Sequence, residues 1–151
     1  MPGQPAIVLS QRERILAAFE TRLREMQDTG LNVFRSRRAA LGRKELPAAL
    51  VEPVSDRGSA DDNGTMHQEW QLTINVRFFT RGDAPDAAAE ALLAQAHGAI
   101  MRGGNLDGLA LSLLADEVSF SFEQSEGTAC ESLISYRVLY RTPFDDWTIQ
   151  I

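Results

Sequence analysis

One cysteine and two histidines leave this chain little with which to build a disulfide or a soft-metal site. Cys130 alone excludes an intramolecular disulfide and fits a reducing compartment. With no flanking base or cation motif, it reads as a buried structural thiol rather than a nucleophile. Neither His67 nor His97 has a cysteine or second histidine at ligand spacing, so no metal is expected. No apolar run approaches the roughly 20 residues that span a bilayer, and no helical membrane crossing is expected. Residues 1–10 lack a basic region and hold only a short apolar patch, so they do not read as a signal peptide. Glycine-rich phosphate loops are missing too: Arg81-Gly82-Asp83 and Gly103-Gly104-Asn105 have turn character without nucleotide-binding spacing. The acidic pairs Asp61-Asp62, Asp116-Glu117 and Asp145-Asp146 are sequence neighbours, which strands point to opposite faces. The chain therefore reads as a non-enzyme without cofactors.

What is present suits one domain spanning 1–151. It would have a flexible stretch at 1–9, a mobile loop at 55–66 and a C-terminal tail at 143–151. The net charge of −6 is unevenly divided. Residues 1–57 hold 10 basic and 7 acidic side chains, and residues 58–151 hold 5 basic and 14 acidic. An acidic chain is poorly suited to wrapping nucleic acid, where affinity comes from neutralising phosphates. Segregated charge does suit a subunit whose two sides meet unlike surfaces.

Periodicity supplies the elements. Ser10 and Glu13 have capping-box form, and Ile15, Leu16, Phe19, Leu23 and Met26 recur at helical spacing, predicting a helix over 11–28. Arg12, Arg14, Glu20, Arg22 and Arg24 are assigned to its wet face. Short strands are expected at 31–35 and 48–54, with Pro53 arguing for an edge position or an early end. Strict alternation from Trp70 to Phe78 predicts a long strand over 68–81. Asp83 is the expected N-cap of a helix over 86–101, with Pro85 in its first turn. Residues 105–115 read as a turn or short helical segment. A hairpin of strands 117–123 and 130–141 follows, with Val118, Phe120 and Phe122 expected inward. The tail is too apolar for a solvated end and should dock on its own domain or on a neighbour. The predicted class is α+β: an antiparallel or mixed sheet of about five strands with two main helices on one face, in the order α-β-β-β-α-β-β.

This layout, with the phrases Arg14-Ile15-Leu16-Ala17-Ala18-Phe19, Leu46-Pro47-Ala48-Ala49-Leu50-Val51, Leu106-Asp107-Gly108-Leu109 and Tyr136-Arg137-Val138-Leu139-Tyr140-Arg141-Thr142, resembles the tail terminator proteins of long-tailed bacteriophages and prophages, the minor tail protein U-like group. The resemblance covers about 11–142 through short motifs. It implies a structural protein of the virion tail, assembled in the bacterial host cytoplasm. Such a subunit forms a hexameric ring on the tail tube protein, halts tube growth and presents a surface to head–tail connector proteins, while DNA passes without specific binding. The assembly residues expected from interface chemistry are Arg35, Arg37, Arg38, Arg43 and Lys44 against acidic neighbours, with Phe144 and Trp147 as apolar anchors. Two readings stand beside this one: a small ligand-binding or accessory α+β domain with a pocket under the second helix, and a nucleic-acid contact through 35–44.

Overall fold

A computed structural model of the chain describes residues 7–26, 29–37, 40–60, 66–123 and 129–151, with backbone alone at 60 and 123. Helix α1 (Gln11–Arg24) starts where Ser10 turns into extended backbone and its hydroxyl accepts from the Glu13 N–H. The reciprocal half of the capping box is replaced, because the Glu13 carboxylate is taken by Arg35. Strand β1 (Asn32–Arg35) runs parallel to β2 (Ala48–Ala60), and a 3-10 turn, Arg43–Glu45, lies between them. Then follow β3 (His67–Arg81), α2 (Pro85–Met101), β4 (Ser112–Glu123) and β5 (Ala129–Pro143). The sheet order is β1-β2-β3-β5-β4, antiparallel except at β1–β2. The class and element order match the expectation.

Both helices cover one face, α1 over β1 and β2, α2 over β3 and β5. Leu72, Ile74, Val76 and Phe78 from β3 and Ile134, Tyr136 and Val138 from β5 meet Ile15, Phe19, Leu93 and Ile100 from the helices. Burial of a side chain of this size contributes about 1.5–3 kcal/mol. Phe19 meets Tyr136 edge-on at 5.3 Å, and His97 Nδ1 lies 3.0 Å from the Tyr136 hydroxyl. Cys130 is buried, and desolvation pushes its thiol up, in keeping with an unreactive packing role.

Several expectations are corrected. Residues 55–60 are strand, not loop: a bulge between Pro53 and Ser55 carries β2 past the proline, and β3 supplies pairing through Ala60↔Gln68. Residues 61–65 of the expected loop lie outside the described residues. The chain ahead of the hairpin becomes β4 from Ser112 onward, five residues earlier than the alternation indicated, because a second bulge between Ala115 and Glu117 interrupts the pattern. Ala84, not Asp83, occupies the N-cap of α2, with no side-chain cap. Arg22 is buried rather than wet. Its guanidinium donates to the carbonyls of Ala99, Ile100 and Arg102 and pairs with Asp107 at 3.2 Å. One helix thus supplies the cation that caps the other's C-terminus. Beyond it, Gly103 and Gly104 sit at φ +79 and +82 and turn the chain away.

Candidate assembly surfaces

The tail is held against its own domain. The Gln11 N–H donates to the Trp147 carbonyl at 2.8 Å, and Gln11 Nε2 donates to the Thr148 carbonyl at 2.9 Å. The tail therefore satisfies one orphan backbone donor at the start of α1 and the Gln11 side-chain amide beside it. Asp146 fastens this turn by accepting from the Thr148 N–H and hydroxyl, which hold its carboxyl below the usual range. Trp147 packs edge-on to Trp70 at 5.6 Å, and the Arg12 guanidinium lies 5.8 Å from the Trp70 ring and 5.2 Å from the Trp147 ring.

Beneath that cation is Asp56, whose side chain is only 7% exposed; Arg12 Nε donates to it at 2.7 Å, and the Tyr140 hydroxyl donates to the same oxygen. The β2 bulge is what aims Asp56 at α1: it restores alternation after Val54, so that Asp56 pairs with Leu72 on the helix side. Tyr140 titrates well above its ordinary range, because burial and the adjacent carboxylate both disfavour its anion. Gly58 completes the arrangement, since a Cβ there would fall 2.3 Å from Gln68 Nε2 and 3.1 Å from the Trp70 ring. Neither Arg12 nor Asp56 was among the expected site residues. They are 44 positions apart, and only the bulge brings them together.

Several of the residues expected to mediate assembly, Arg35, Arg37 and Trp147 among them, already have partners on their own chain. Arg35 is engaged by Glu13 and Glu20, and Arg37 by Glu45 while lying 4.7 Å from the Phe34 ring. The Arg35 hydrogen bond holds the Glu13 carboxyl below its ordinary value. Arg38 lies outside the described residues. Arg43 and Lys44 are exposed on the 3-10 turn at the β1 edge. Phe144 and Trp147 are 66% and 50% exposed.

An uncovered apolar stripe on β4 was not expected. Val118, Phe120 and Phe122 pair with Ile134, Ser132 and Cys130, so they lie on the helix side of the sheet as the alternation implied. They are not buried there: their exposures are 49%, 44% and 54%, because α2 lies mainly over β3 and β5 and only grazes the edge strand. Asp86, Ala87 and Glu90 of α2 form the other wall of an open hollow of about 410 Å³ beside Phe120 and Phe122. Leu93, Ala96 and Ile100 pack under the body of α2, and a second open hollow of about 340 Å³ lies beside its first turns, lined by Ala88 and Leu92 with Pro47 and Thr80. Among the described residues no three metal-ligating side chains gather, and no helix is long and apolar enough to cross a membrane.

The fold has a solved counterpart. A chain in the structure titled "Virion of native gene transfer agent (GTA) particle" is similar to this one with a TM-score of 0.56 at 16% identity, covering 82% of this chain and 92% of that one. At that identity the likeness establishes a shared fold. No family model and no curated protein sequence matches the chain.

Proposed function

We propose that this chain is a structural subunit of a phage-type particle, and within that class a tail terminator. It would close the end of the tail tube as a hexameric ring, offer a surface to the connector proteins of the head, and let DNA through without binding it specifically. The observation that carries the reading is the shared fold with a chain of a gene transfer agent virion, over nearly the whole of that chain. The surface supports it. Apolar side chains that a lone domain would cover stand open on β4 and on the tail, as they do on subunits that bury them in an assembly. The acidic majority of the chain suits a DNA passage that must not hold its cargo, since like charges repel. Its place would be the virion tail and, during assembly, the host bacterial cytoplasm.

The test is capture. Tail tubes incubated with the purified chain and imaged by electron microscopy should carry density with sixfold symmetry at one end. Tubes whose two ends stay bare and keep growing would overturn the terminator assignment.

A further inference from the structure

We infer that the β4–α2 flank of one copy docks on the β1 flank of the next, head to tail, with Val118, Phe120 and Phe122 as the apolar centre of the contact. The inference deepens the ring reading above and rests on it. β4 is the outermost strand, and its outer backbone edge is unpaired over Ser112–Glu123 among the described residues. A long edge bearing exposed aromatics is a template for another chain unless something covers it. The second copy is favoured as the cover by charge and by level along the strands.

On the β4 side, the apolar stripe is walled by exposed Asp86 and Glu90, and Glu117 is exposed on the strand itself. The far side of the sheet is the basic part of the chain, with Arg43 and Lys44 exposed beside β1. Register shows that the two are level. The row through Phe120 runs across Ser132 and Phe78 to Ala49 and ends on β1 at Val33. The row through Phe122 crosses Cys130 and reaches Thr80, one step beyond the Ala48↔Phe79 pair and beside the turn that carries Lys44. A ring axis running along the strands keeps these rows level, so each copy brings Asp86 and Glu90 to its neighbour's Lys44. Such a heterologous contact uses two different surfaces and closes only when the last copy meets the first. Ala87, Ala88, Ala91 and Ala94 are exposed on α2, small side chains that permit close approach.

Two variants test it. Phe120→Glu with Phe122→Glu spoils one surface, and Arg43→Glu with Lys44→Glu spoils the other. All four side chains are exposed, so circular dichroism should be unchanged. Each variant alone should associate at least about 30-fold more weakly than wild type, the loss of one hot-spot-sized contact. Mixed together they should form dimers and nothing larger, because each pair retains one intact contact and cannot extend it. Rings from either variant alone, while wild type also forms rings, would overturn this interface and leave the terminator reading standing. A wild-type chain that never associates, alone or on tube ends, would overturn both.

Discussion

Arg12 carries more of this structure than its place on a helix surface indicates. It neutralises Asp56, a carboxylate almost fully removed from water, and it fills the space between two tryptophans. Removing the partner of a buried charge leaves that charge desolvated and unpaired. Arg12→Ala should therefore cost about 2–4 kcal/mol in urea unfolding, well above the 0–1 kcal/mol of a surface ion pair. A loss under 0.5 kcal/mol, roughly the scatter for surface substitutions, would show that the cluster is solvated. Glu13 gives a pH-dependent counterpart. Arg35 depresses its carboxyl below the ordinary 4.5, so the native state holds this proton less tightly than the unfolded chain. Its contribution is present in full above pH 4.5 and fades as pH falls through the depressed folded value. The stability gap between wild type and Glu13→Gln should accordingly be widest near neutrality and narrow progressively below pH 4.5, which unfolding curves across that range would read directly.

At the scale of elements, α1, β3 and β5 could be read from the amino acids because each buries a regular stripe against one core. The rest depended on irregularities that periodicity does not encode. Ser55, Arg57 and Ser59 look like loop residues, yet they sit on a strand whose pairing comes from β3, a partner reached through the bulge after Pro53. Val118, Phe120 and Phe122 alternate as core residues do. Their openness follows from the lateral position of α2, which no residue of β4 reports. Arg22 fits the polar stripe of α1 by spacing, and only the docking of α2 turns it into a buried cap. The tail, left between two readings by its composition, is an element of its own domain. Truncation after Pro143 removes both carbonyl acceptors of Gln11, a residue 1% exposed, together with the Trp147 ring. The truncated chain should keep its sheet and lose about 2–3 kcal/mol, seen as a lower Tm. An unchanged Tm would show that the tail is only resting there. Gly58→Val should destabilise by about 1–3 kcal/mol through crowding of Trp70, with the tryptophan fluorescence shifted.

For the whole molecule, the arrangement is a packed domain with unlike flanks. The basic part of the chain builds α1, the 3-10 turn and the β1 side, and the acidic part builds α2 and the β4 side. Charge segregation was readable from the first, but its geometric meaning was not, since it takes the sheet order β1-β2-β3-β5-β4 to put the two parts at opposite edges. The basic residues singled out by composition divide accordingly. Arg35 and Arg37 hold β1 and its turn to the rest of the domain, while Arg43 and Lys44 face outward. The proposed contact between copies uses these two flanks, and the tail end adds exposed Phe144.

The most direct test of that account is the mass of the chain by light scattering across concentration, with and without tail tube ends. The account predicts a shift from one subunit to six, at high concentration or on the tube ends, that Phe120→Glu with Phe122→Glu abolishes. A mass of one subunit at every concentration, untouched by the tubes, would contradict it.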